Sequence, residues 1–276
     1  MTIMSRLVQI AAIALALSAS GGAKAEPASA WTDGFHSRIR LISGGYQDGR
    51  LLAGIEIRLD PGFKTYWRDP GESGLPPRFE WSGSDNVAGV DLRWPAPERS
   101  EDAAGVAHGY HDRVVFPVIL EPKDPARSVT LAVTIDYGVC KEICIPAHAD
   151  LALPLSADTA ERPALQAWLD RVPHPQPLGA PGALSVLSVE PATGDKPTLA
   201  IAIRAPEGPR PALFVEGPDN WYFSTAASPT DGRFLVTIDE KPKDATGDIP
   251  LRLTLVAGSH AIESSARLEA AHLRGR

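Results

Sequence analysis

The sequence predicts an all-β chain of two antiparallel sandwiches, the second smaller than the first. Three observations carry this. Apolar and polar residues alternate with period two through most of the chain after Glu26. Glycine and proline supply 24 and 26 of the 276 residues, and many fall between the alternating runs as turn signals. Only one segment has helical spacing. A hydrophobic fraction of 43% suffices for a packed core and excludes wholesale disorder. The 27 basic residues are outnumbered by 34 acidic ones and form no cluster. No nucleic acid partner is expected, because phosphate binding needs a basic face.

Residues 1–25 read as a signal peptide. Arg6 supplies a positive start, Leu7 to Ala19 an apolar run, and Ala23-Lys24-Ala25 a small-x-small cleavage site. The run is shorter than the roughly 20 apolar residues that cross a bilayer. Cleavage after Ala25 and export of the remainder are expected.

Strands follow at His36–Ser43 and Arg50–Leu59, parted by Gly44-Gly45 and closed by the turn Asp60-Pro61-Gly62. Further strands are expected at Arg78–Trp81, Val87–Trp94, Arg113–Leu120, Val129–Val139 and Ile143–Leu155. Short strands at this spacing make residues 26–157 an immunoglobulin-like sandwich. The helical segment is Thr159–Arg171, with Asp158 as cap, Pro163 near its start, and Leu165, Trp168 and Leu169 on one stripe. Prolines 173, 175 and 177 then predict an extended linker that cannot pair in a sheet, so 158–182 reads as helix plus linker. Alternation resumes from Leu184 to Leu268, making 183–276 a second β-sandwich domain of roughly 90 residues. It has no cysteine, and a structural or docking role is expected of it.

The two cysteines of the chain, Cys140 and Cys144, lie where two strands meet. In a straight strand their Cα atoms would be about 13 Å apart, too far to bond. A hairpin turn of three residues instead brings the flanking positions opposite each other, within disulfide reach. Closing so small a loop adds only about 2 kcal/mol in the chain-entropy model, a weak return for a staple. A tight bond is also the more reducible kind. Three readings stand: a redox-active pair, a structural disulfide, and a copper or zinc site formed by Cys140, Cys144 and His148. The i, i+4, i+8 spacing of the metal set converges best on a helix, which Pro146 opposes.

The ordered motifs are Gly62-Phe-Lys-Thr-Tyr-Trp-Arg-Asp-Pro-Gly-Glu-Ser-Gly-Leu-Pro76, Trp94-Pro-Ala-Pro97, Gly109-Tyr-His-Asp112 and Cys140-Lys-Glu-Ile-Cys-Ile-Pro146. From about Trp31 to Ser156 they make the chain resemble the N-terminal periplasmic domain of the DsbD family. The suppressor-of-copper-sensitivity (ScsB) branch is the most similar. The resemblance implies a periplasmic immunoglobulin-like domain that passes reducing equivalents to thioredoxin-fold partners, such as disulfide isomerases or cytochrome c maturation proteins. It implies that Cys144 forms the mixed disulfide and Cys140 resolves it, and that no dissociable cofactor is needed. This chain contains neither of the family's electron-donating domains, so a separate membrane donor of DsbD or ScsB type is implied.

In the family a cap loop with aromatic residues covers the cysteines. Here it falls at Ser100 to Gly105, where Ala103 and Ala104 replace the aromatics. Glu101 and Asp102 match its acidic positions and either serve a proton near the thiols or are solvated loop charges. Shielding is then expected from Tyr66, Trp67 or Tyr110, which are otherwise core residues. Lys141 favours a thiolate and Glu142 opposes it. The alternatives from other classes are a periplasmic copper-binding or copper-tolerance protein, and a non-catalytic interaction module with a structural disulfide.

Overall fold

The computed structural model describes residues 26–72, 74–102, 105–193, 195–228 and 232–269; the expected signal peptide and Ala103-Ala104 lie outside them. In chain order the first strands are β1 (Thr32–Gly34), β2 (Ser37–Gln47), β3 (Arg50–Leu59), β4 (Lys64–Gly71), β5 (Arg78–Glu80) and β6 (Val87–Leu92). Next come β7 (Glu98–Asp102), β8 (Gly105–His111), β9 (Arg113–Pro122), β10 (Thr130–Cys140) and β11 (Cys144–Pro154). They form a five-stranded sheet, β1-β2-β3-β9-β6, and a six-stranded sheet, β11-β10-β4-β8-β7, in which β5 also pairs with β10. The chain is nearly all-β, as its alternation predicts.

The inward rows of both sheets meet in one hydrophobic cluster that includes Leu41, Ile55, Ile57, Phe116, Leu131, Ile135 and Val139. Period two explains why: in β10, Leu131, Val133, Ile135, Tyr137 and Val139 are buried one after another along the same face. On the outer side of the first sheet, the fully buried Glu56 carboxylate accepts hydrogen bonds from Arg40 and Arg58, and Arg113 lies at 2.8 Å. Burial would raise its pKa, but these arginines outweigh burial and hold it below the usual carboxylate range.

The helix α1 spans Arg162–Leu169, shorter than the expected Thr159–Arg171. Asp158 does not cap it. Its carboxylate instead accepts from the Ala160 N–H at 2.8 Å and spends itself on the turn before the helix. Leu165 and Trp168 are buried in the first cluster, and Pro163 sits in the first turn as expected.

The remaining strands are β12 (His174–Pro175), β13 (Ser185–Ala192), β14 (Thr198–Arg204), β15 (Ala212–Glu216), β16 (Tyr222–Ala227), β17 (Arg233–Glu240), β18 (Ile249–Ala257) and β19 (His260–Leu268). They form two four-stranded sheets, β12-β19-β18-β15 and β13-β14-β17-β16, whose apolar faces share a second cluster around Val186, Ile201, Val236 and Leu253. The proline-rich segment corrects the expectation that it cannot pair. β12 lies parallel to β19 at a sheet edge, and the Gln176 N–H donates to Glu263 at 2.9 Å. An edge position tolerates proline because one side of the strand needs no donors.

Candidate functional site

β10 and β11 pair without a register shift from Thr130↔Pro154 to Cys140↔Cys144. Lys141, Glu142 and Ile143 make the connection, all exposed, with Ile143 at 73%. The cysteines are thus the last cross-strand pair before the turn. Their Cα atoms are 4.2 Å apart, and a disulfide joins them. Opposed residues of a non-hydrogen-bonded pair stand about 4.5 Å apart, so a hairpin end accepts this bond with little movement.

Alternation assigns the pair to a face. Ile135, Tyr137 and Val139 point into the core, so Asp136, Gly138 and Cys140 point away from it. The same rule orders β4, which runs beside β10 with Lys64 opposite Cys140. Thr65 and Trp67 face inward, while Lys64 and Tyr66 share the face of the disulfide. The Tyr66 hydroxyl lies 3.0 Å from Cys144 Sγ. Its ring fits between two glycines. A Cβ on Gly74 would stand 2.4 Å from Tyr66 Cε1, and one on Gly138 3.2 Å from Cδ2.

Tyr66, Ala107 and Cys140 form a small buried cluster, each 1% exposed, against which the half-buried Cys144 packs. Burial and the Asp102 charge raise the Tyr66 pKa, so its hydroxyl stays protonated and available as a donor at neutral pH. The two sulfurs therefore differ. Cys144 is reachable and has a hydrogen-bond donor, while Cys140 is enclosed.

Ala107 belongs to β8, the strand beside β4 in the same sheet, which forms a hairpin with β7. Its tip is tied down: Lys64 Nζ donates to Asp102 Oδ2 at 2.6 Å, and Lys64 is itself only 7% exposed. β8 lies close along β4, since a Cβ on Gly109 would stand 2.1 Å from the Thr65 carbonyl oxygen. Only glycine fits there.

Of the expected site residues, Cys140, Cys144, Tyr66 and Asp102 are brought together. Trp67 and Tyr110 are not: both face inward. Trp67 packs against Phe214, and the Tyr110 hydroxyl donates to the Pro95 carbonyl at 2.7 Å. Glu101 is exposed and pairs with Arg99 at 3.2 Å. The metal set Cys140, Cys144 and His148 does not converge. His148 lies four residues along β11 from Cys144, about 13 Å away for a strand, and binds Asp136 and Asp150 instead. Those carboxylates raise the pKa of its exposed imidazole. Among the described residues no group of three or more His, Cys, Asp or Glu is placed to hold a metal ion. Lys64 was missed in the sequence. Its signal is its place two residues before Tyr66, on the same strand face.

β4 also meets the later sheets. Arg68 donates to both Glu216 oxygens at 2.8 and 2.7 Å and to Glu263 at 2.5 Å. Beside it, Phe214 of β15 is buried in the first cluster against Trp67 and His108.

Residues 41–156 match the family model of the N-terminal part of the thiol:disulfide interchange protein DsbD. Among solved structures, the N-terminal periplasmic domain of ScsB from Proteus mirabilis superposes with a TM-score of 0.71 at 23% identity. The match covers 88% of this chain and 99% of that one, so the shared fold includes the later sheets. Two others are remote. The endo-fucoidan hydrolase MfFcnA9 from glycoside hydrolase family 107 is 11% identical over 76% of this chain and 34% of its own, with a TM-score of 0.24. The tandem Ig repeats of Dlar are 13% identical over 85% and 98%, with a TM-score of 0.22. Neither bears on this chain's site. No curated relative matches the sequence.

Proposed function

We propose that the chain, whose residues 41–156 match the DsbD N-terminal family model, is a periplasmic thiol–disulfide interchange protein working through Cys140 and Cys144. The observation that carries this reading is the asymmetry of the pair: Cys144 is half-buried with the Tyr66 hydroxyl at 3.0 Å, and Cys140 is 1% exposed. A reachable sulfur with a donor suits the attacking role, and an enclosed one suits resolution.

In the reducing direction, the Cys144 thiolate attacks one sulfur of a partner disulfide and expels the other as a thiolate. The Cys140 thiolate then attacks Cys144 Sγ, closes the intramolecular disulfide and releases the second partner sulfur. Two electrons pass to the partner, and the two protons lost by the cysteines reach its two thiolates through solvent. The partners in this reading are periplasmic thioredoxin-fold proteins, and a separate membrane protein of DsbD or ScsB type re-reduces the pair. No helix among the described residues is long and apolar enough to cross a membrane. Residues 26–157 are the redox unit, 158–182 the connection, and 183–276 a second unit bearing on β4 through Arg68 and Phe214.

The test is trapping with a purified, oxidised thioredoxin-fold protein. Cys140→Ala should accumulate a covalent mixed disulfide, and Cys144→Ala far less. Absence of any adduct with Cys140→Ala, together with tight Cu(I) binding by the reduced wild type, would overturn the reading in favour of metal handling.

A further inference from the structure

Cys140 presents an electrostatic difficulty. It is 1% exposed and packs against Tyr66 and Ala107, an environment that disfavours a thiolate. Resolution nevertheless requires that thiolate. Directly opposite Cys140 in the adjacent strand stands Lys64, on the same face of the sheet. Opposed residues of antiparallel strands carry Cβ atoms about 4.5–5.5 Å apart. The Lys64 ammonium is buried with its stem, and Asp102 holds it at 2.6 Å.

We propose that Lys64 is the counter-ion of the Cys140 thiolate and so speeds the resolving half of the exchange. The inference rests on the interchange reading above and assigns a separate helper to each sulfur, Tyr66 to Cys144 and Lys64 to Cys140. The other charged groups at this end are placed differently. Lys141 reaches over the Phe63 ring, 5.8 Å from its centroid, and Glu142 is exposed in the turn. His111, opposite Lys64 on β8, is paired with Glu98 at 3.2 Å. Asp102 both anchors the ammonium and offsets part of its field. The effect on Cys140 therefore sits at the low end of what an adjacent opposite charge does.

Cys140 can be titrated alone in the full chain carrying Cys144→Ala, by the ultraviolet absorbance of its thiolate, with no partner present. Adding Lys64→Met should lower the thiolate fraction at pH 7 about tenfold, whereas Lys64→Arg should keep it within about threefold. In a Cys140→Ala background, Lys64→Met should leave the reaction of Cys144 with a small aromatic disulfide within about twofold. Circular dichroism checks the fold, and Lys64→Gln serves as a second neutral variant under the same readouts. An unchanged Cys140 titration in folded neutral variants overturns the proposal, as does an equal loss at Cys144. Failure to trap a thioredoxin-fold partner would instead count against the interchange reading, since these titrations do not depend on it.

Discussion

The Tyr66 hydroxyl and the Cys144 sulfur lie 3.0 Å apart, a contact that ties the outward face of β4 to the first residue of β11. When the pair is reduced, a protonated phenol at this position is placed to donate to a Cys144 thiolate. Hydrogen bonds to charged groups contribute about 1.5–3 kcal/mol, comparable to a pKa unit or more.

Tyr66→Phe should therefore raise the Cys144 pKa and slow its reaction with a disulfide reagent at pH 7 about tenfold. The ring still fills its slot between Gly74 and Gly138, so the fold should hold. Alkylation rate against pH, measured in a Cys140→Ala background, is the check. An unshifted profile would leave the phenol a spacer and nothing more.

His108 makes stability depend on pH. Burial pushes its imidazole pKa from 6.5 down to about 4. Between those values the unfolded chain binds a proton that the folded chain refuses, so stability falls as pH drops through the window. The full change is about 3 kcal/mol. Asp69 beside it has its pKa raised by burial and acts with the opposite sign, gaining stability as pH falls. Comparing urea unfolding of wild type and His108→Gln at pH 7 and pH 4.5 isolates the histidine. The variant should show the smaller acid loss.

Phe214 is 1% exposed and belongs to the first core although β15 belongs to a later sheet. Phe214→Ala should cost about 3–5 kcal/mol, the usual range for deleting a buried ring. If the two cores are coupled through it, thermal unfolding of the wild type should be one transition and that of the variant two. A variant that unfolds in a single unshifted transition would show that the ring contributes little.

Most strands could be read from alternation, because burying one face of a sheet imposes a period of two on the sequence. Ile55 to Leu59 shows this in its sequence: Ile55, Ile57 and Leu59 take one face, and the charged Glu56 and Arg58 the other. β4, β7 and β8 were not read as strands. Their residues are glycine-rich, aromatic or charged, and β4 breaks register between Tyr66 and Gly71, so no clean period survives. That the two cysteines could bond was legible from spacing, since a turn brings them within reach. Which aromatic serves it was not, although parity decides the matter: Tyr66 and Trp67 are neighbours in sequence and lie on opposite sides of one strand. Lys64 escaped notice because a lysine near a turn looks like surface, and only the fold buries it. The proline run misled because the rule against proline in sheets is weak at an edge.

Gly109 has a consequence for reagent selectivity. β8, which brings Ala107 to the cluster of Tyr66 and Cys140, lies as close to β4 as it does because nothing projects from position 109 toward the Thr65 carbonyl. A single methyl group there would have to lift β8, and with it Ala107, off the sulfur cluster. Small-molecule oxidants in the surrounding fluid would then reach Cys140, the enclosed member of the pair, more readily. One missing methyl group thus helps keep the inner thiol of the pair from whatever diffuses past, while the outer one stays open.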